Sequence, residues 1–138
     1  MPVEELNPAD ESAVVALWEA AGLTRPWNDP GADFRRALAG PSSTVLGVRD
    51  GASLVGAAMV GDDGHRGWLY YLGVAPAHHG RGVGRCLVEA AQSWLAARGV
   101  AKVLLMVRRE NDAARGFYAA LGFNEEDVAV FGRRVGAP

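Results

Sequence analysis

The sequence predicts a mixed α/β fold in which helices cover a largely antiparallel sheet. Residues 43–74 contain three apolar runs of strand length, while apolar residues before and after them recur at helical spacing. Asp-Gly pairs at 50–51 and 63–64 separate the three runs, and such pairs are typical of tight hairpins between antiparallel strands. A chain that alternates helices and strands in this way is expected to pack its helices against one sheet.

Two helices are predicted ahead of these runs, after a short first strand near residues 3–6. Asn7 is a suitable N-cap for the first helix, with a proline at the next position, and Gly22 follows its end. Asp29 is the corresponding cap for the second helix, which Gly40 ends. Each helix therefore carries its own start and stop signals.

Four elements are predicted after the three runs. Residues 83–99 have the spacing of a long helix, and 100–107 have the continuous apolar composition of a buried strand. Residues 111–122 predict a further helix that ends at its terminal glycine, and 127–135 predict a closing strand. The 138 residues are expected to form one domain, 1–138, with a mostly antiparallel mixed sheet of six or seven strands and about four helices.

Composition argues against several classes of protein. A formal net charge of -2 gives no general attraction for nucleic acid, so no nucleic-acid partner is expected. Neither a signal peptide nor an apolar run of membrane-spanning length is visible, so we expect a cytoplasmic protein with no membrane partner. The single cysteine excludes an intramolecular disulfide, and with three histidines it fits no metal-ligand spacing, so no metal is expected.

The segment HHGRGVGRCL, residues 78–87, is here named the glycine loop and joins the last of the three strands to the long helix. Its glycines are Gly80, Gly82 and Gly84, and its arginines are Arg81 and Arg85. The first amides of a helix lack partners and carry the positive end of the helix dipole, so they form an anion site. Glycines leave such amides accessible and arginines add charge, which predicts a bound phosphate. The alternative is that the glycines only shape a turn.

Two other phosphate-binding motifs fit this loop less well. No lysine followed by serine or threonine completes a P-loop. The spacing is G-x-G-x-G instead of the G-x-G-x-x-G of dinucleotide-binding proteins, and the next strand is followed by Arg108 where an acidic residue is typical. An arginine there favours a 2'-phosphate, so an NADP-binding reductase remains an alternative.

The segment YLGVAPAHHGRGVGRCLVEAA resembles the acetyl-CoA motif of the GNAT superfamily of N-acetyltransferases. The segment ENDAARGFYAALGF is similar to the second motif of that superfamily. With the element order, the resemblance covers nearly the whole chain and is to short single-domain bacterial members. It implies a GNAT-like fold and an acetyl-CoA-dependent N-acetyltransferase. A noncatalytic acyl-CoA sensor is the alternative.

The resemblance also implies roles for individual residues. Amides of the glycine loop would hold the diphosphate of acetyl-CoA, and the end of the preceding strand would pair with its pantetheine arm. The amide near Leu72 would face the thioester carbonyl, where charge develops, and Tyr118 would stand near the sulfur. The implied acetyl-CoA contacts are Leu72, Gly73, Val74, His79, Gly80, Arg81, Gly82, Val83, Gly84, Arg85 and Asn111.

One position departs from the family pattern, which usually has arginine or glutamine where this chain has His79. A neutral histidine still donates one hydrogen bond, but the affinity for acetyl-CoA is expected to be lower or more dependent on pH.

Direct attack by an amine on the thioester is expected, because no nucleophile is evident. Ser53 is not in a G-x-S-x-G elbow, and Cys86 has the position of a packed small residue in a helix. Tyr118 shares helical core spacing with Phe117 and Leu121, so packing alone would explain it, whereas the resemblance implies catalysis. A phenol with a pKa of about 10 is a weaker acid than a thiol at about 8.5, so hydrogen bonding to the departing sulfur would be its main contribution.

The acceptor amine must lose a proton before it attacks, because alkyl amines are charged at neutral pH. Candidates near its site are Asp62, Asp63, His65 and Glu110, each of which also fits an ordinary loop residue. The segment LTRPWNDP resembles a loop of short bacterial members, which implies that Arg25 and Trp27 contact the acceptor; a buried anchor is the alternative for Trp27. A small amine, an amino acid, a protein N-terminus or a lysine all fit, and so do a monomer and a homodimer.

Overall fold

The computed structural model describes residues 1–136 and divides the chain into two compact units, Met1–Met106 and the segment from Val107 onward. The strands are β1 (Glu4–Glu5), β2 (Ser43–Asp50), β3 (Ser53–Asp62), β4 (Gly67–Val74) and β5 (Val103–Leu105). The helices are α1 (Glu11–Ala20), α2 (Pro30–Ala39), α3 (Val83–Ala96) and α4 (Asp112–Ala120), the last in the second unit. No helix among residues 1–136 has the length and apolar content that crossing a membrane requires.

The first unit contains one sheet in which the strands follow chain order from β1 to β5. The pairs from β1 to β4 are antiparallel and β5 runs parallel to β4. The predicted meander of three antiparallel strands is therefore confirmed, as is the mixed α/β class. The predicted strand over 100–107 is shorter than expected, because only three of its residues pair with β4 and they are only half-buried.

The helix signals in the sequence are also confirmed. The Asn7 side chain accepts a hydrogen bond from the amide of Ala9 at 2.9 Å and opens a short 3-10 turn that leads into α1. The Asp29 carboxylate accepts from the amide of Ala32 at 3.0 Å at the start of α2. Each cap supplies a partner for an amide that the helix itself cannot satisfy.

Helices cover both faces of the sheet in the first unit. On one face, Trp18 of α1 and Phe34 of α2 belong to a buried cluster that includes Ala57 of β3. On the other face, α3 lies so close to β3 that a Cβ on Gly56 would come within 2.5 Å of Val83. Successive residues of a strand point to opposite faces, so α1 and α2 lie on one side and α3 on the other.

A bulge interrupts β4, where Tyr71 and Leu72 stand opposite the single residue Ala58 of β3. Before the bulge, Gly67 faces α3; after it, Gly73 faces α1. The two glycines are an even number of residues apart and would share a face in a regular strand. The extra residue at the bulge therefore reverses the face of the sheet to which each later residue of β4 points.

The end of β4 has an open edge. β5 pairs with β4 only at residues 67–69 and ends at Leu105. Within Met1–Met106, no strand pairs with residues 70–74 on that side. The predicted glycine loop begins where this open edge stops.

The second unit contains α4 and no strand among its described residues. The predicted closing strand over 127–135 is wrong, and the sheet has five strands instead of six or seven. Val128 is 71% exposed and Phe131 is 94% exposed, so this segment lacks the buried face that a strand requires. A glycine and two arginines at 132–134 end its alternation of apolar and polar residues.

Candidate functional site

The glycine loop leads into α3 through two glycines in the left-handed backbone conformation. Gly80 has a φ of +75° and Gly82, the N-cap of α3, has a φ of +83°. Residues with a Cβ rarely adopt this conformation. A Cβ on either glycine would meet nothing within 4 Å, so backbone conformation and not crowding requires glycine here.

The first amides of α3 receive no side-chain cap. The first hydrogen bond of the helix runs from the amide of Cys86 to the Gly82 carbonyl at 3.0 Å, which leaves the amides of residues 83–85 without helical partners. Arg81 is exposed, while the charge of Arg85 is offset by Glu89 at 3.1 Å. The loop therefore offers open amide donors and a net positive charge, which is the chemistry that a diphosphate requires.

The open edge of β4 leads directly to this loop. The amide of Ala75 bonds to the Val55 carbonyl of β3 at 2.8 Å. Peptide groups alternate in direction along a regular strand, so those of Val74 face away from β3 and toward the side where β5 has ended. If Leu72, beside the bulge, is extended in the same way, its peptide groups face that side too. An extended ligand with amide groups could pair with this edge as another strand would.

His79 is hydrogen bonded back to the strand. Its Nε2 lies 3.1 Å from the carbonyl oxygen of Val74, which can only accept, so Nε2 carries the proton and donates. In the neutral ring Nδ1 is then an acceptor. The neutral side chain has no second donor for an anion unless this bond breaks.

The second unit holds the other two residues that the family resemblance implied. Asn111 caps α4, because its side-chain oxygen accepts from the amide of Ala114 at 3.1 Å. Tyr118 packs edge to face against Phe117, with ring centroids 4.9 Å apart, and against Phe123 at 5.6 Å. Burial raises the pKa of Tyr118 to about 12, so the phenol is neutral at physiological pH and can donate a proton or a hydrogen bond.

Asp63 and His65 lie in the turn between β3 and β4, at the opposite end of β4 from Val74. The Asp63 carboxylate accepts from the amides of Arg66 at 2.7 Å and His65 at 2.9 Å, and from Trp68 Nε1 at 3.1 Å. These hydrogen bonds lower the pKa of Asp63 to about 2. A carboxylate with this pKa is a poor base, so Asp63 is better explained as the residue that forms the turn.

Replacing Asp63 with alanine is expected to reduce stability, because the turn loses three hydrogen bonds, and to leave kcat within about threefold of the wild type. Loss of a general base would instead lower kcat about 100-fold or more. The lowered pKa stabilises the folded protein above the unfolded carboxyl pKa of about 3.9. That contribution is lost as the pH falls toward the folded value of about 2. Melting temperatures of wild type and variant should therefore differ at pH 7 and converge near pH 2. A large loss of turnover at unchanged stability would contradict this role.

The loop between α1 and α2 holds Arg25 and Trp27. The Arg25 guanidinium donates to the carbonyls of Gly22 at 2.9 Å and Thr24 at 2.8 Å, where α1 ends. Trp27 is 56% exposed, so its interpretation as a buried anchor is wrong. Glu110, the last acceptor-site candidate, is exposed in the second unit.

Tyr71, the residue at the bulge of β4, is not among the site residues that the sequence predicts. Its φ is +53° although it is not glycine, and its hydroxyl donates to Asp33 of α2 at 2.8 Å. Its ring stacks on Trp18 of α1 at 4.3 Å. Burial and the neighbouring carboxylates raise the pKa of Tyr71. The only signal in the sequence is a pair of adjacent tyrosines within an apolar run, which is ordinary for a strand.

Among residues 1–136, no three His, Cys, Asp or Glu side chains are grouped closely enough to hold a metal ion.

A sheet whose fourth strand has an open edge before an uncapped helix N-terminus can hold a ligand that has an extended amide-bearing arm and a diphosphate. Residues 12–123 match the profile of the Acetyltransferase (GNAT) family. An acetyltransferase from Pectobacterium atrosepticum is 41% identical over 135 residues, covering 98% of this chain and 96% of that protein. The chain therefore belongs to the GNAT family and is an enzyme of the acetyl-CoA-dependent N-acetyltransferase class.

Solved structures share the fold. The aminoglycoside N-acetyltransferase AAC(6')-Iy, solved with a CoA-containing bisubstrate analogue, matches with a TM-score of 0.84 and 20% identity over 98% of both chains. The ribosomal-protein-S18-alanine N-acetyltransferase from Escherichia coli matches with a TM-score of 0.78 and 27% identity over 91% of this chain and 78% of that one. One of these proteins acts on a small amine and the other on a protein.

Proposed function

We propose that the protein transfers the acetyl group of acetyl-CoA to a primary amine by direct attack, with no acyl-enzyme. The proposal rests on one observation, the left-handed backbone at Gly80 and Gly82. This backbone leads from the open edge of β4 to the first turn of α3, whose amides have no side-chain cap. The family match spans residues 12–123, so we also propose that residues 1–138 work as one catalytic domain in the cytoplasm.

The open donors fit the parts of acetyl-CoA in order. The amides of residues 83–85, supported by Arg81, would hold the diphosphate. The outward peptide groups of Val74 and Leu72 would pair with the pantetheine arm, and the buried Gly73 between them lets α1 pack closely. The Leu72 amide would then donate to the thioester oxygen as negative charge develops there, which is where a fixed donor accelerates acyl transfer. Asn111 would contact the same ligand from the start of α4.

Tyr118 is proposed as the group that hydrogen bonds to the departing sulfur. Its pKa of about 12 keeps the phenol protonated, so a donor is present throughout the working range of pH. Full protonation of a thiolate by so weak an acid is uphill. The hydrogen bond itself is therefore the proposed contribution, and the thiolate takes its proton from solvent after it leaves.

The attacking amine must be neutral, and we propose that water takes its proton. Asp63 is a weak base with its oxygens engaged in the turn, and His65 lies in that same turn. Arg25, Trp27 and Glu110 remain proposed acceptor contacts. Relatives of this fold act on aminoglycosides and on a ribosomal protein, so the acceptor is proposed to be a small amine, a protein N-terminus or a lysine, bound by a monomer or homodimer.

Replacing His79 with arginine is expected to tighten acetyl-CoA binding about three- to tenfold. In the neutral histidine the single ring N–H is used on the Val74 carbonyl, whereas a guanidinium has five donors and a permanent charge. A charged hydrogen bond at an exposed site is worth about 1 kcal/mol, which corresponds to this change in affinity. Calorimetric titration with coenzyme A measures it, and His79→Gln is the uncharged comparison. Unchanged or weaker binding in His79→Arg would place the anion elsewhere.

The proposed function is tested by incubating the protein with acetyl-CoA and a panel of amines while free thiol is measured. The panel includes aminoglycosides, polyamines, amino acids and peptides with free N-termini. Turnover with any amine, confirmed by mass spectrometry of the acetylated product, supports the proposal. Binding of acetyl-CoA without turnover for every amine would favour a sensor instead.

A thermal-shift comparison tests the third possibility, an NADP-binding reductase. A ligand at one hundred times its dissociation constant adds about 2.7 kcal/mol of stability. Acetyl-CoA should therefore raise the melting temperature, and NADPH should not. The comparisons with known proteins favour neither the sensor nor the reductase.

A further inference from the structure

Tyr71 has a backbone conformation that residues other than glycine rarely adopt. Its φ of +53° brings Cβ close to the following carbonyl oxygen. Conformations of this kind persist only where surrounding contacts over-determine them. A relaxed, extended Tyr71 would remove the bulge and turn Leu72, the next residue, to the opposite face of the strand.

Two contacts hold Tyr71 in place, and both come from helices instead of from the sheet. The ring lies parallel to Trp18 of α1, with 4.3 Å between centroids and 18° between planes. The hydroxyl donates to Oδ2 of Asp33, in the first turn of α2, at 2.8 Å. Trp18 is fully buried and also packs edge to face on Phe34, so the stack rests on a fixed base.

We propose that Tyr71 and Asp33 form a positioning pair that keeps β4 bulged, so that the amide of Leu72 faces the open edge where the thioester binds. This inference rests on the proposed acetyl transfer. The hydrogen bond links α2, which follows the loop that holds Arg25 and Trp27, to β4, which carries the Leu72 amide. The pair acts through Leu72 and touches neither substrate. Its loss should lower kcat more than it raises KM for acetyl-CoA, since the diphosphate cradle at Gly82 is separate.

The bulge is tested by comparing Tyr71→Gly with Tyr71→Ala. Both variants remove the same ring and leave the same space against Trp18, so they differ only in backbone preference. Glycine usually destabilises a strand relative to alanine, but at positive φ the order reverses. Tyr71→Gly should therefore melt at a higher temperature than Tyr71→Ala and retain a kcat about tenfold higher.

The hydrogen bond is tested by conservative variants of both partners. Tyr71→Phe keeps the stack but loses the donor, and Asp33→Ala loses the acceptor, so each should lower kcat about tenfold. Asp33→Asn keeps an acceptor oxygen in the same place and should recover most of that loss. The double variant Tyr71→Phe with Asp33→Ala should be no worse than either single variant, as expected for partners in one interaction. Tyr70→Phe, on the adjacent residue, which is 41% exposed, is the matched control and should behave as wild type.

Each outcome has a defined meaning. A higher kcat and melting temperature for Tyr71→Gly than for Tyr71→Ala, with rescue by Asp33→Asn, supports the pair. Equal kcat in the glycine and alanine variants, or additive losses in the double variant, overturns it while wild-type turnover leaves the proposed function intact. If the wild type transfers acetyl to no amine, both proposals fall together.

Discussion

Replacing Gly82 with valine is expected to weaken acetyl-CoA binding about 10- to 100-fold, because the valine displaces the amides proposed to hold the diphosphate. The residue has a φ of +83°, which a β-branched side chain adopts only at a cost of about 1–2 kcal/mol or more. If the backbone relaxes to avoid that cost, the amides that follow no longer converge on one anion. Loss of even one hydrogen bond to a charged group costs about 1.5–3 kcal/mol.

Gly51 provides a matched control for this variant. It has a φ of +63° in the turn between β2 and β3, and a Cβ there would also meet nothing within 4 Å. Gly51→Val therefore imposes similar backbone strain away from the loop. Calorimetric titration with coenzyme A should show lost affinity only in Gly82→Val, while both variants melt a few degrees below wild type. Equal affinity in the two variants would contradict the placement of the diphosphate at α3.

The sequence was sufficient for the features that depend on local chemistry. Asn7 and Asp29 cap helices because a short side chain with an acceptor oxygen reaches the next amides whatever the rest of the fold does. The turns at 50–51 and 63–64 follow from Asp-Gly pairs in the same way. Glycine at position 82 before an apolar helical stripe was enough to predict where α3 begins.

The predictions that were wrong, and the features that no prediction included, depend on contacts between residues far apart in the chain or brought together only by folding. The bulge at Tyr71 is fixed by Asp33, 38 positions earlier in the chain, and no local pattern marks it. Residues 127–135 have strand composition but no buried face, and burial is a property of the fold. Asp63 was a candidate base by position, whereas its pKa is set by three donors that only the folded turn brings together.

Replacing Tyr118 with phenylalanine is expected to lower kcat about 100-fold, the lower end of what loss of one fixed hydrogen-bond donor to developing charge costs. The change removes only the hydroxyl and keeps the ring that packs against Phe117 and Phe123. KM for acetyl-CoA should change less than about threefold, because a bond that strengthens as the sulfur departs affects the transition state and not ground-state binding.

The pH dependence distinguishes a donor from a base at this position. Burial raises the pKa of Tyr118 to about 12, so the phenol is protonated from pH 6 to pH 10 and contributes no inflection there. Wild-type kcat/KM should rise with pH over this range, because the fraction of neutral amine rises toward an alkyl amine pKa of about 10.4. Tyr118→Phe should follow a parallel curve at a lower level. A slope that disappears in the variant would mean that the tyrosine itself accepts a proton.

Two comparisons distinguish a loss of catalysis from a loss of folding. Tyr70→Phe makes the same chemical change on β4 and should leave kcat within about twofold of wild type, as surface substitutions usually do. The melting temperature and the acetyl-CoA affinity of Tyr118→Phe should both match the wild type. If turnover in Tyr118→Phe equals that of Tyr70→Phe, the phenol is a packing residue and the departing thiolate takes its hydrogen bond from water. A sensor without catalysis predicts a third pattern, in which all three proteins bind acetyl-CoA equally and none releases thiol.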